Sequence, residues 1–367
     1  MLWVKGILTK CCYLGIKRRE ILYLTLMPQE LSLPLPDDFH IHLRQGLDLA
    51  NYAKSAERQF GRILAMPNTE PPINSAESVK KYKEEILAAA PSLDILLTFK
   101  LNKNYTEQEL LEMQKNGAVA AKYYPLGVTT NSQDGVSKIE DMYPTIELME
   151  KQDLVLCLHG EEPGAFCLDR EREFLKHLEK LCKTFPKLRI VLEHVSSAEA
   201  VECVKDLPQN VAATVTVHHL ILTLNDIVGD SLRPQNFCKP LPKLPKDNEA
   251  VRAAVFSGDK KFFLGTDSAP HALEKKECLC GAAGVYSAPV AIPILIEEFE
   301  KENKLDLLSN FIAGFGADFY KIPRQTKKVT YTKKDWQVPK IIDGAVPLRA
   351  GEVLKWGNFL SCANGHS

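Results

Sequence analysis

From residue 35 onward this chain alternates short apolar runs with helix-forming stretches, a pattern that admits few folds other than a parallel sheet covered by helices. The runs at 37–43, 62–67, 94–101, 118–125, 154–160, 189–195, 210–219 and 262–268 are nearly continuous in apolar residues, as strands buried on both faces should be. Helices are expected over 77–90, 140–152, 171–184, 198–206, 247–257, 289–303 and 305–316, and Thr106-Glu-Gln-Glu109 reads as a capping box opening another. A Lys-rich, β-leaning tail follows at 326–356. At 367 residues the chain is long for one ordinary domain but suits a single α/β barrel, typically about 250 residues, with additions.

Five of these runs end on metal-site chemistry: His40 and His42, Lys122, His159, His194 and Asp267. Residues two apart in a strand share a face, so His40-Ile-His42 delivers two imidazoles to one point from a rigid element. A lone histidine at a strand end is more often a hydrogen-bonded structural residue; a series of them at successive strand ends points to one metal centre. The pattern is that of a metal-dependent hydrolase.

Lys122 carries the most unusual chemistry. Ala118-Val-Ala-Ala-Lys122 places an amine among barrel residues, where an unpaired ammonium is costly and desolvation lowers the pKa. A neutral amine can add carbon dioxide, giving a carbamate whose two oxygens bridge a pair of divalent ions; the alternative is a barrel lysine paired with a carboxylate. Asp267, in Leu264-Gly-Thr-Asp267-Ser-Ala-Pro-His271, can ligate a metal and take a proton from water, or merely cap the loop through the Ser268 amide.

Charge excludes some partners. Lys plus Arg number 46 against 47 Asp plus Glu, a net charge of −1, so nothing favours nucleic acid or another polyanion. The ten cysteines are scattered and read as reduced thiols, and Cys278-Leu-Cys280 lacks a second pair at zinc-site spacing. Residues 1–30 are basic, amphipathic and acid-poor, too short in apolar run to span a bilayer. They read as an extension outside a single domain over 31–367, either a transit peptide or dispensable if Met27 begins a shorter product. A cytoplasmic location is expected, an organellar one if the extension targets.

Read in order, Asp38-Phe-His40-Ile-His42-Leu-Arg44, Met66-Pro-Asn68-Thr-Glu-Pro-Pro72, Ala121-Lys122-Tyr-Tyr-Pro125, Leu158-His159-Gly-Glu161, Leu192-Glu-His194 and Gly265-Thr-Asp267-Ser-Ala-Pro-His271 resemble the motifs of the dihydroorotase family. The likeness is to its compact, monofunctional type and spans roughly residues 35 to 290. It implies an amidohydrolase-type (β/α)8 barrel, a TIM barrel, holding two zinc ions. His40, His42, carboxylated Lys122 and Asp267 would bind one; Lys122, His159 and His194 the other; and a hydroxide bridges them.

The same resemblance implies that Arg44, Asn68 and His271 hold the substrate carboxylate, with backbone groups near Lys239 and Ala283 against the pyrimidine ring. Arg44 has independent support, since a guanidinium fork suits a planar carboxylate. Thr129 and Thr130, in the small polar loop after Pro125, would be lid contacts; a solvated surface loop is the other reading. The implied reaction is the reversible closure of N-carbamoyl-L-aspartate to dihydroorotate in pyrimidine synthesis, with Asp267 as general acid and base and the protein a homodimer. A hydantoin or dihydropyrimidine hydrolase shares such a centre but has no use for a carboxylate-binding trio, and a metal-free scaffold would have no use for the ligands.

Overall fold

A computed structural model of the chain describes residues 29–127, 135–136 and 138–358. Strand β1 (Glu30–Pro34) leads into β2 (Asp37–Ile41), β3 (Arg62–Ala65), β4 (Asp94–Lys100), β5 (Ala118–Tyr123), β6 (Val155–Leu158), β7 (Ile190–Leu192), β8 (Val211–Val215) and β9 (Phe262–Leu264). Strands β2 to β9 pair in parallel, each with the next, in sequence order. The first and last of them then meet: His42 N donates to Ser268 O at 3.0 Å and Asp267 N to His40 O at 2.8 Å. The result is a closed (β/α)8 barrel.

All eight expected strands form, starting within a residue of the expected positions, but each stops one to four residues early. The expected 210–219 is cut most, because Thr216 caps a short helix, Val217–Ile221, with its hydroxyl. The capping box at Thr106 forms as expected: Thr106 N donates to Glu109 Oε2 at 2.7 Å and Glu109 N to Thr106 Oγ1 at 3.3 Å. Helices Leu47–Glu57 and Phe315–Phe319 were not foreseen.

The core divides into two layers. Inside the barrel, Phe39, Leu64, Val155, Val191, Ala212 and Phe263 interdigitate, and Ala317 and Tyr320 close the bottom. A larger layer lies between strands and helices, which is why the strands are apolar on both faces. Polar work at the bottom is done by Arg62, which donates to Asp37 at 3.2 Å and Asp94 at 2.6 Å.

The tail folds. Strands β10 (Lys328–Gln337) and β11 (Val353–Gly357) join β1 in an antiparallel sheet that buries Tyr331 and Trp356. Arg349 anchors it to Glu297 on helix Ala291–Lys301 at 3.0 Å. Glu30, at the end of the expected extension, pairs with Thr332 in this sheet. Residues 1–28, including Met27, and the loop carrying Thr129 and Thr130 lie outside the described residues.

Candidate metal centre

The C-terminal ends of the barrel strands bring His40, His42, Lys122, His159, His194 and Asp267 into one pocket, with Arg44, Asn68, Tyr124, Cys238, Lys239, Ala283 and Gly284 around them. Three of the pocket residues sit in the left-handed backbone region: Arg44 at φ 61°, His194 at φ 44° and Asp267 at φ 44°. For residues with side chains this costs about 1–3 kcal/mol each and persists where the surroundings enforce it. The turns re-aim each side chain just past its strand. They also explain the early ends of β2, β7 and β9.

Two ligand groups result. Asp267 Oδ1 lies 3.3 Å from His40 Nε2 and 3.0 Å from His42 Nε2. His159 Nδ1 faces His194 Nε2 at 3.1 Å. Tetrahedral ligands about 2.0–2.1 Å from a zinc ion are themselves about 3.3 Å apart, so both groups already have ligand-to-ligand spacing. The His40 and His194 rings, with centroids 5.2 Å apart, join the two groups.

Lys122 is fully buried and its Nζ has no hydrogen-bond partner. Burial holds its pKa below the usual lysine value, although Glu193, Cys157 and Asp267 pull the other way. The expected alternative, a lysine paired with a carboxylate, is thus not what the structure contains. The amine lines the same pocket as both ligand groups.

The imidazoles are oriented from behind. His40 Nδ1 meets Glu193 Oε2 at 2.7 Å, His159 Nε2 meets Glu161 Oε2 at 2.8 Å, and His42 Nδ1 meets Asn68 Oδ1 at 2.6 Å. Thr214 fixes the Glu193 carboxylate at 2.6 Å and accepts the His194 backbone N–H at 2.7 Å. Each imidazole so held turns its other nitrogen to the pocket, the arrangement that orients metal-binding histidines. Glu193 and Glu161 stand in the quoted motifs, but nothing in sequence assigned them this task; their place beside a strand-end histidine is the available signal.

Protonation follows from these partners. Burial pushes the His42 pKa down to about 4, and burial with its neighbours His159 and Lys122 holds His194 well below the usual histidine value. Burial and Lys122 also press on His40, but Glu193 and Asp267 outweigh them and raise its pKa. Asp267 is buried, which favours its neutral form, yet the His40 charge and bonds from His40 and His42 keep it well below the usual carboxylate range. Asp267 therefore enters as the carboxylate.

Beside the ligands, Arg44 donates through Nε to Pro270 O at 2.9 Å and lies 2.8 Å from His271 Nε2 through Nη2. His271 Nε2 is also 3.1 Å from Ala283 O. An arginine can only donate, so Nε2 accepts from Arg44, consistent with burial and Arg44 pushing the His271 pKa down to about 3. Arg44 reaches the pocket through its left-handed turn, because β2 ends at Ile41.

A second buried group, His218, His219 and Cys238, has side-chain atoms within 4.8 Å of one another. His219 spends both nitrogens, on Thr216 Oγ1 at 2.9 Å and Pro240 O at 3.0 Å, and burial keeps the Cys238 thiol protonated. Both ring nitrogens of His218 lack partners. His219 Nε2 and Cys238 Sγ both donate to Pro240 O, next to Lys239. Cysteines among the described residues are free, with Cys278 and Cys280 exposed.

Comparison with known proteins agrees with this geometry. A model of the amidohydrolase family matches residues 38–309. The chain is 42% identical over 341 residues to a dihydroorotase of Pseudomonas aeruginosa, covering 90% of this chain and 98% of that one. A crystal structure of dihydroorotase from Saccharomyces cerevisiae in complex with 5-fluoroorotic acid superposes with a TM-score of 0.85 at 36% identity, covering 90% of this chain and 98% of that one. An L-hydantoinase of Arthrobacter aurescens shares the fold, with a TM-score of 0.77 at 16% identity, covering 90% and 83% of the two chains.

Proposed function

This chain belongs to the amidohydrolase family, in its dihydroorotase branch, and is a hydrolase of cyclic amides; from that premise we propose that it interconverts N-carbamoyl-L-aspartate and (S)-dihydroorotate in de novo pyrimidine synthesis, using two zinc ions and a carboxylated Lys122. The observation that carries the metal reading is the buried, unpartnered Lys122 amine in one pocket with two histidine groups at ligand spacing. Lysine with a lowered pKa is the form that adds carbon dioxide, and the carbamate supplies the carboxylate the second group lacks. The family likeness supports a cytoplasmic homodimer as part of the same proposal.

The donor set fits the ions. His40, His42 and Asp267 would hold one, His159 and His194 the other, and the Lys122 carbamate both. Bound divalent ions lower the pKa of water and polarise a carbonyl, worth several kcal/mol of charge stabilisation. In the hydrolytic direction water adds to the ring amide carbon, the carbon–nitrogen bond breaks, and Asp267 passes the proton to the departing nitrogen. Arg44, oriented by Pro270 O and His271, presents its guanidinium to the substrate carboxylate, with Asn68 beside it. The Lys239 and Ala283 segments bound the ring.

Balance requires that carbamoylaspartate take up one proton on closing to dihydroorotate and water. Lower pH therefore favours synthesis, by about tenfold in the equilibrium ratio per pH unit for one proton. Incubating the purified, zinc-replete enzyme with either compound between pH 6 and 8 should reach the same ratio from both sides with that slope. Turnover of dihydrouracil, which has no carboxylate, should be at least about a hundredfold slower, the scale of losing a charged anchor of roughly 3 kcal/mol. Equal turnover of the two would contradict the substrate reading.

A further inference from the structure

Lys276 lies outside the metal centre, at the end of the short helix Leu273–Lys276, and the chemistry above does not use it. Its side chain is buried, and its ammonium donates to Phe237 O at 2.9 Å and to Gly284 O at 2.6 Å. Among the described residues no carboxylate pairs with it. Phe237 immediately precedes Cys238 and Lys239, and Gly284 follows Ala283, so the two carbonyls belong to the two backbone walls of the pocket. The walls also join directly, Gly284 N donating to Phe237 O at 2.9 Å.

The junction has no slack. A Cβ placed on Gly284 would collide with the Ala269 carbonyl oxygen and press on the His271 ring. A buried ammonium must be solvated by the protein, and here two carbonyls from separate segments do it; neither segment can retreat without stranding the charge. Arg44 is near enough for its charge to act on Lys276, and Lys276 acts on His271, so the same cation contributes to the positive lobe at the carboxylate end of the pocket.

We propose that Lys276 is a positioning residue for the substrate: its ammonium clamps the Lys239 and Ala283 walls at the spacing the ring needs and adds positive potential beside Arg44 and His271. This rests on the dihydroorotate reading. Burial, the largest influence on it, brings its pKa down to about 8, as a charge held only by carbonyls should be. The role predicts a loss in substrate binding rather than in the chemical step, because Lys276 touches neither the reacting carbon nor a metal-type ligand.

The test compares wild type, Lys276→Met and Lys276→Arg as zinc-replete proteins, with kcat and KM for dihydroorotate, zinc content and melting temperature on each. We expect Lys276→Met to keep its zinc and to raise KM about tenfold, with kcat within about twofold; Lys276→Arg, which can donate to both carbonyls, should restore most of the KM. A folded Met variant with unchanged KM, or one that loses zinc and kcat instead, would overturn the role. Should the Met variant fail to fold, Lys276→Gln, a shorter neutral donor, decides it: raised KM supports the clamp and unchanged KM overturns it. A wild type without turnover removes the activity and this role together, whereas an active wild type beside an unaltered Met variant removes only the role.

Discussion

At the scale of single residues, the site depends on side chains that never reach the substrate. Glu193 takes the His40 imidazole at 2.7 Å and is itself held by Thr214 at 2.6 Å, fixing which nitrogen His40 presents to the pocket. Outer groups of this kind typically account for 10–100-fold in metal affinity. Glu193→Gln should therefore weaken zinc binding by about 10–100-fold in chelator competition, while the melting temperature of the metal-loaded protein stays close to wild type. Unchanged affinity would show that His40 is oriented by its backbone alone. Glu193 precedes His194 in the chain yet serves His40, 153 positions away, a pairing only the closed barrel creates.

At the scale of elements, the join between the first and last barrel strands concentrates buried polar contacts. Asp38 accepts Thr266 N at 2.8 Å, Thr266 Oγ1 at 2.6 Å and His40 N at 3.1 Å, all away from solvent. Asp38→Ala would strand these donors, at about 1–3 kcal/mol each before relaxation, and should cost about 3 kcal/mol or more in denaturant unfolding. A loss under about 1 kcal/mol would mean that water replaces the carboxylate. The same join shows what the chain makes legible. Strand starts follow from runs of apolar residues, which are local. Strand ends do not, because the left-handed turns at His194 and Asp267 are imposed by the neighbours that hold those residues. The metal-type ligands are readable since each lies in the last residues of an apolar run or just past it, and Lys122 since its neighbours are apolar. Lys276 was not, because its two carbonyl partners meet only in the folded pocket. The sheet of β1, β10 and β11 depends on pairing across some 300 residues, so its sequence shows only β-leaning composition.

At the scale of the whole molecule, six strand ends deliver cationic, anionic and orphaned polar groups to one buried pocket, an arrangement in which a bound metal would also hold the barrel mouth together. A ligand that binds only the folded state stabilises it by about 4 kcal/mol when its free concentration is a thousand times its Kd. Chelation should lower the melting temperature measurably, and added zinc should restore it; a melting temperature indifferent to chelator would contradict coupling between site and fold. In the proposed centre, Lys122 is the group that would unite the two ligand sets. The most direct measurement pairs zinc content with dihydroorotate turnover for wild type and Lys122→Ala. The wild type should carry about two zinc ions and be active, with both collapsing in the variant. A variant that keeps two ions and its activity would show that the buried amine has no part in the metal centre.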